Sequence, residues 1–142
     1  MKKLFNLLFA IALAVLAVSA QNEPQAEISF EKSTFDFGDV KHGQVVTATF
    51  KFKNTGKGPL VLNNVATTCG CTVPSWPKDP IAPGKSAEIT ATFNSTGKSG
   101  QQNKVITVFS NAKTAQSQVS IVCNVVPADA PAAPAGDQSA PK

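Results

Sequence analysis

The alternation of apolar and polar residues with a period of two constrains the fold of this chain most strongly. Val46, Ala48, Phe50 and Phe52 alternate with polar residues, and the same pattern returns at residues 87–93. Successive side chains of a β-strand point to opposite faces of a sheet, so this pattern predicts strands with one buried face. The sequence has no convincing stretch with the 3.6-residue period of an amphipathic helix.

Turn-forming segments separate the alternating stretches and set the number of strands. Gly, Pro and Asn gather at residues 54–58, 82–85 and 96–100, and these residue types favour turns. Strands are predicted at residues 27–30, 35–37, 45–53, 59–68, 86–94, 103–110 and 116–126, with an eighth near 71–74. Seven or eight short strands in one domain predict an immunoglobulin-like antiparallel β-sandwich. A Greek-key barrel is the alternative, since it needs a similar number of strands.

Apolar residues that share a phase are expected on the inner faces of the two sheets. The predicted core consists of Phe35, Phe50, Phe52, Leu60, Leu62, Ile89, Phe93, Ile106, Val108, Val119 and Ile121. Cys123 has the same phase as Val119 and Ile121, so its sulfur is expected to face this core.

The two ends of the chain differ in composition from the middle. Two Lys residues precede an almost wholly apolar run over residues 4–18, and small residues follow up to Ala20. This layout is that of a secretory signal peptide, so residues 1–20 are predicted to be removed on export to the periplasm or the medium. The predicted segments after it are a polar lead at 21–26, the β-sandwich domain at 27–126 and an Ala/Pro-rich flexible tail at 127–142.

The composition excludes several functional classes. The chain has one His, three Cys and no Arg, which excludes a three-His zinc site and a bidentate guanidinium contact with phosphate. After residues 1–20, eleven Lys and nine acidic residues leave a net charge of +2, without the concentrated positive surface of a nucleic-acid-binding protein. No later segment is long and apolar enough to span a membrane. Motifs of hydrolases, zinc proteases and phosphate-binding loops are absent, so no enzyme activity is predicted.

The cysteines supply the most distinctive local chemistry, in the segment Thr68-Cys69-Gly70-Cys71-Thr72. An exported protein meets oxidising conditions, so disulfides are expected. A bond between Cys69 and Cys71 requires a bend at Gly70, because residues two apart in an extended strand lie about 6.6 Å apart at Cα. Pairing of either cysteine with Cys123 is the alternative, and the sequence leaves the pairing open.

Two further roles for Cys69 and Cys71 also stay open. Two thiolates on one strand face suit Cu(I), which accepts few soft ligands, so the two residues are a candidate metal site. No other cofactor is predicted. A thiol–disulfide redox role is a further hypothesis, although such enzymes carry C-x-x-C at the start of a helix and no helix is expected here.

Other residues with reactive or contact-forming side chains have simpler interpretations. Trp76 lies in a Pro-rich loop and is a candidate partner contact, because Trp is favoured at binding hot spots. Alternatively, its ring folds onto the end of the sandwich. His42 is expected to be an exposed turn residue next to Gly43. Asp36 and Asp39 flank Gly38 and are expected to be turn residues. Calcium binding is the other interpretation of this pair, but two carboxylates are too few for a calcium site.

A set of short motifs follows in a fixed order over about residues 30–126. The motifs are Phe35-Asp36-Phe37-Gly38, Phe50-Lys51-Phe52-Lys53-Asn54-Thr55-Gly56, Pro59-Leu60, Thr68-Cys69-Gly70-Cys71-Thr72, Ile81-Ala82-Pro83-Gly84 and Ser110-Asn111. The ordered set resembles the bacterial exported family called domain of unknown function 1573, and it is similar to the immunoglobulin-like group of major sperm protein and hydin-type domains. This resemblance implies an exported bacterial protein. Together with the lack of catalytic motifs, it implies a noncatalytic module that binds another envelope or secreted protein.

Overall fold

The computed structural model describes residues 23–129, which form eight β-strands. The strands are β1 (Ile28–Phe30), β2 (Thr34–Lys41), β3 (Val45–Asn54), β4 (Leu62–Thr67), β5 (Thr72–Ser75), β6 (Ser86–Asn94), β7 (Gly100–Ser110) and β8 (Gln116–Val126). All eight strands predicted from the alternation are present, with ends shifted by a few residues. The predicted signal peptide and the predicted tail beyond residue 129 lie outside the described residues.

The strands form two four-stranded sheets that enclose an apolar core. Sheet A has the order β1-β3-β6-β5, and sheet B has the order β2-β8-β7-β4. Two separate sheets confirm the predicted immunoglobulin-like β-sandwich and exclude the barrel. Neighbouring strands are antiparallel except for β2 and β8, which run parallel. Alternation did not indicate this parallel pair, because it marks the buried face of a strand and not the direction of its neighbour.

The core is built from the residues whose phase placed them on the inner faces. Ten of the eleven predicted core residues are buried, and Phe35 is half-buried against them, with its ring 6.4 Å from that of Phe50. Leu60 is buried outside the strands, where its N–H and C=O groups exchange hydrogen bonds of 2.9 and 2.8 Å with Ile81. This separate bridge explains why β4 begins at Leu62, later than predicted. No helix that could span a membrane occurs in residues 23–129.

The chain changes sheets at both edges of the sandwich. On one side, residues 31–33 connect β1, at the edge of sheet A, to β2, at the edge of sheet B. On the other side, residues 68–71 connect β4, at the edge of sheet B, to β5, at the edge of sheet A. Short edge strands joined in this way limit the exposed backbone available for uncontrolled pairing. The second crossing contains the C-G-C motif.

A buried asparagine at the end of β3 holds three segments together. The Oδ1 atom of Asn54 accepts hydrogen bonds from the N–H groups of Glu27 (3.3 Å) and Gly56 (3.0 Å). Its Nδ2 donates to the carbonyl oxygens of Gly58 (2.8 Å) and Ile81 (2.9 Å). The side chain is fully buried, and all four bonds satisfy groups that would be costly to bury alone.

Residues 23–26 pack against the turn that Asn54 organises. The carbonyl oxygen of Gln25 accepts hydrogen bonds from Lys57 (2.9 Å) and Gly58 (3.3 Å), and Ala26 is buried in the core. A Cβ atom at Gly58 would overlap the carbonyl group of Pro24, so only glycine permits this close approach. This part of the polar lead therefore contacts the sandwich directly.

Replacing Asn54 with alanine is expected to lower the free energy of unfolding by about 3 kcal/mol, because four backbone groups lose a buried partner. The shift of the urea unfolding midpoint measures this loss. Asn64→Ala, an exposed position on β4, is the matched control and should change the free energy by less than about 0.5 kcal/mol. Equal losses in the two variants would contradict this role of Asn54.

Candidate functional site

The C-G-C motif forms the crossing between β4 and β5. Cys69 and Cys71 are joined by a disulfide, and their Cα atoms are 5.3 Å apart. Gly70 is exposed, with no atom within 4 Å of the position that a Cβ would occupy. The Cα distance is shorter than the approximately 6.6 Å of an extended strand. The bend at Gly70 therefore brings the two sulfurs together, and of the three pairings left open by the sequence the structure has this one.

Hydrogen bonds also hold the crossing in place. The hydroxyl group of Thr67 lies 2.9 Å from the carbonyl oxygen of Cys69 and 3.1 Å from that of Thr72, and it donates to this pair of acceptors. The N–H of Asn94 donates to the carbonyl oxygen of Cys71 at 3.0 Å, which continues the pairing of β6 with β5 beyond the end of the strand. The conformation of the crossing therefore does not depend on the disulfide alone.

The disulfide constrains the unfolded chain only slightly. Its two cysteines are separated by two positions in the sequence, and loop-closure entropy for so short a loop corresponds to about 1.5 kcal/mol. A loop of about 15 residues would give about 3 kcal/mol on the same scale. The disulfide therefore stabilises the fold only slightly, and its position at the surface says more about its function.

The alternation of β5 explains which side chains face outward at the crossing. Thr72 is buried and pairs with Phe93, whereas the next residue, Val73, is 65% exposed. Cys69 and Cys71 are both half-buried. Cys71 packs at the margin of the core and also opens to the surface. The Sγ atom of Cys69 lies 3.9 Å from the hydroxyl oxygen of Thr72.

An open groove of about 430 Å³ begins at the crossing and extends over β5, β6 and the start of β3. Its lining is formed by Val45, Gly70, Cys71, Val73, Thr92, Asn94 and Thr96. None of these residues is charged. Val45, at 55% exposure, and Val73 are the large apolar residues exposed within residues 23–129. Val45 and Val73 lie on either side of β6, and exposed apolar side chains around one groove are typical of a contact surface.

Residue phase is the sequence signal that could have revealed this groove. Val45 is out of phase with the buried residues of β3, and Val73 is out of phase with Thr72. Both valines therefore belong to the outer face of sheet A. Their proximity to each other depends on the strand order β3-β6-β5, which alternation alone does not specify.

Cys123 is a free thiol on β8 and is buried in the core, as its phase predicts. β7 separates β8 from β4 in sheet B, so Cys123 lies away from the crossing. Burial raises the pKa of the Cys123 thiol, with a smaller contribution from Asp36, while Lys104 partly opposes the shift. The thiol therefore stays protonated near neutral pH and is a poor nucleophile.

Trp76 lies outside the groove lining. Its ring is half-buried against the core, and the Nζ atom of Lys78 is 3.1 Å from the ring centroid, a cation–π contact. The indole Nε1 is buried without a hydrogen-bond partner in the described part of the chain. The ring packs against the sandwich, and a contact between Trp76 and a partner protein stays a prediction.

The remaining polar candidates have local structural roles. His42 is exposed in the turn between β2 and β3, and its Nε2 accepts a hydrogen bond of 3.0 Å from the N–H of Gly97. Asp36 and Asp39 lie within β2, so the predicted turn is wrong. They flank an irregularity in the pairing of β2 with β8, and Asn124 donates to Asp39 at 2.8 Å. In residues 23–129, no three His, Cys, Asp or Glu side chains gather as a metal cluster would require.

Solved structures with the same fold come from different kinds of protein. A protein of unknown function from Porphyromonas gingivalis W83 is similar with a TM-score of 0.64 and 18% identity, covering 75% of this chain and 50% of that one. The ASH/PapD-like domain 7 of human CEP192 has a TM-score of 0.61 and 9% identity, with coverage of 77% and 92%. The YadV chaperone has a TM-score of 0.53 and 13% identity, with coverage of 69% and 51%. At these identities the similarity shows the fold alone.

The match to a family model covers almost all of the sandwich. This chain spans about half the length of the Porphyromonas gingivalis protein. None of the curated proteins matches this chain. The model described as "Protein of unknown function (DUF1573)" matches residues 28–125, from the first residue of β1 to the last residue but one of β8. This range contains the ordered motifs and the C-G-C crossing, and the chain therefore belongs to the DUF1573 family.

Proposed function

We propose that the chain is a noncatalytic interaction module that binds an extended, uncharged segment of another exported protein in the groove beside Cys71. The exposure of Val45 and Val73 within an uncharged lining carries this proposal. A charged partner group would lose its hydration there without gaining an opposite charge. An uncharged segment with apolar side chains pays no such penalty and buries the two valines.

The edge of β5 is open to a partner, which must bind there mainly through side chains. Within residues 23–129, β5 pairs with β6 on one side and has no strand on the other. An unpaired strand edge can accept an added strand from another chain. This edge has few free backbone groups, because the N–H and C=O groups of Thr72 already bond to Cys69 and Thr67 and Pro74 lacks an N–H group. Contacts with Val73 are therefore expected to supply much of the binding free energy.

The fold agrees with an interaction role without determining it. One of the structural neighbours is a chaperone, and chaperones act by contact with other proteins. Similar folds host many unrelated functions, however, so the argument depends on the groove rather than on the fold.

A photo-crosslinking amino acid at Val73 is expected to capture a partner segment in the bacterial envelope. The same amino acid at Gln118, exposed on β8 of the other sheet, is the matched control and should give little product. Val45→Asp should reduce the Val73 product at least fivefold, because an unpaired carboxylate would then occupy the uncharged groove. Mass spectrometry of the product should identify an uncharged segment. Equal yields at Val73 and Gln118, or a highly charged captured segment, would contradict the proposal.

Export is part of the same proposal. The basic start, the apolar run and the small residues before Gln21 support cleavage after residue 20. A disulfide between Cys69 and Cys71 is also compatible with an oxidising compartment. The protein recovered from the periplasm or the medium is expected to have the intact mass of residues 21–142. Recovery with residues 1–20 still attached would be inconsistent with this cleavage.

Binding of Cu(I) is a second candidate function of the crossing. The Cα distance of 5.3 Å keeps the two cysteine sulfurs close enough to serve one soft ion with few ligands. Both sulfurs are used by the disulfide, so reduction must come before metal binding. The described residues offer no cluster of three ligands, and a two-coordinate Cu(I) site is the arrangement that fits.

The reduced chain is expected to take up one Cu(I) ion in competition with a Cu(I) chelator. A Cys69→Ser/Cys71→Ser variant should lose this binding, because it lacks both thiolates. Cys123→Ser is the matched control and should retain it, since Cys123 is buried away from the crossing. If the double variant competes as well as the native chain, the Cu(I) site is not at the crossing.

A further inference from the structure

We propose that the Cys69–Cys71 disulfide is a thiol–disulfide exchange site, in which an incoming thiolate attacks Cys71 and displaces Cys69. The proposal concerns covalent chemistry at the crossing and does not require a peptide to dock in the groove. It rests on three properties of the crossing: a groove that borders Cys71, a hydrogen-bond donor beside Cys69, and backbone contacts that do not depend on the disulfide bond.

The groove provides a path to one of the two sulfurs. Both cysteines are half-buried, and Cys71 lines the open groove together with Gly70. Gly70 adds no side chain, and the space beside it is empty to 4 Å. Because the rate of exchange depends on which sulfur a thiolate can reach, a thiolate that enters the groove is expected to attack Cys71.

The leaving sulfur has a hydrogen-bond donor beside it. The hydroxyl oxygen of Thr72 lies 3.9 Å from the Sγ atom of Cys69, and Thr72 is buried. A departing sulfur gains negative charge, and a hydroxyl hydrogen directed at it stabilises that charge. A better-stabilised thiolate leaves faster. The surroundings therefore favour Cys69 as the leaving sulfur.

The crossing can retain its conformation when the bond opens. The contacts from Thr67 and Asn94 to the backbone of the C-G-C segment do not involve either sulfur. The loop closed by the bond is also too short for its opening to release much chain entropy. Reduction is therefore expected in the folded protein, without global unfolding.

The exchange balances with a dithiol as the reductant. The first thiolate of the dithiol forms a bond to the sulfur of Cys71, and the Cys69–Cys71 bond breaks to leave a thiolate on Cys69. The second thiolate then attacks the first sulfur of the dithiol and releases Cys71 as a thiolate. The dithiol loses two electrons and becomes a disulfide, and the two cysteines take up two protons from water. One glutathione molecule takes the reaction only as far as the mixed disulfide, and a second glutathione is needed to release Cys71.

Mapping the mixed disulfide tests the direction of attack on the native chain. The oxidised chain is mixed with glutathione, quenched within seconds with excess N-ethylmaleimide and analysed by peptide mass spectrometry. Glutathione is expected on Cys71 and maleimide on Cys69 in most of the product. Glutathione mainly on Cys69, or no adduct until the chain is denatured with urea, would overturn the proposal.

The role of Thr72 is tested by its rate effect. Reduction of Thr72→Val by dithiothreitol is expected to be about tenfold slower than that of the native chain, because the charge-assisted hydrogen bond to Cys69 is lost. Thr72→Ser retains a hydroxyl group and should restore most of the rate. Equal rates for the valine and serine variants would contradict the assignment of Cys69. If Thr72→Val does not fold, the serine variant and the glutathione map decide the question. A failed crosslinking experiment at Val73 would leave both results unaffected.

Discussion

The burial of two apolar sheet faces against each other is the constraint on which the rest of this structure depends. Complete burial of side chains such as Phe50, Phe52 and Phe93 contributes about 2–3 kcal/mol each, so the phase of every strand is strongly fixed. A slip by one residue would turn these rings to the solvent. The same phase that buries Thr72 also exposes Val73 and positions Cys71 at the margin of the core. The surface chemistry of the crossing is thus a consequence of the core.

The second constraint is the crossing of the chain between the sheet edges. Open sheet edges are prone to pair with other chains, and here the crossings at both sides leave the edge strands of sheet A, β1 and β5, with only three and four residues. At the β4–β5 side the passage takes only residues 68–71. So short a crossing requires a sharp turn, which is closed by a hydrogen bond of 3.3 Å from the N–H of Thr72 to the carbonyl oxygen of Cys69. Cys69 and Cys71 become neighbours in space because the chain passes between the sheets in so few residues. The geometry of the fold and the reactivity of the pair therefore have one origin.

Local pattern was sufficient to predict the strands, the sandwich and nearly all of the core, because the period of two records burial residue by residue. The same local pattern does not show which distant segments contact each other. The parallel pairing of β2 with β8 and the packing of residues 23–26 against the turn after Asn54 depend on side chains and backbone groups far apart in the sequence. The groove was missed for the same reason, since only the strand order of sheet A places Val45 and Val73 on either side of β6. The cysteine pairing was left open because the bend at Gly70 has no signature beyond the glycine itself.

The strand order of sheet B also determines when the domain can be completed. Its two central strands, β7 and β8, are the last two within residues 23–129, whereas all strands of sheet A lie before residue 95. A polypeptide that emerges from a ribosome or a translocation channel with its N-terminus first can assemble the first sheet early. β2 and β4 must then wait, unpaired, for their central neighbours. During that interval the apolar inner face of sheet A is exposed to solvent, and the incomplete domain is prone to aggregate. This exposure ends when the last 27 or so residues of the domain, which form β7 and β8, have emerged.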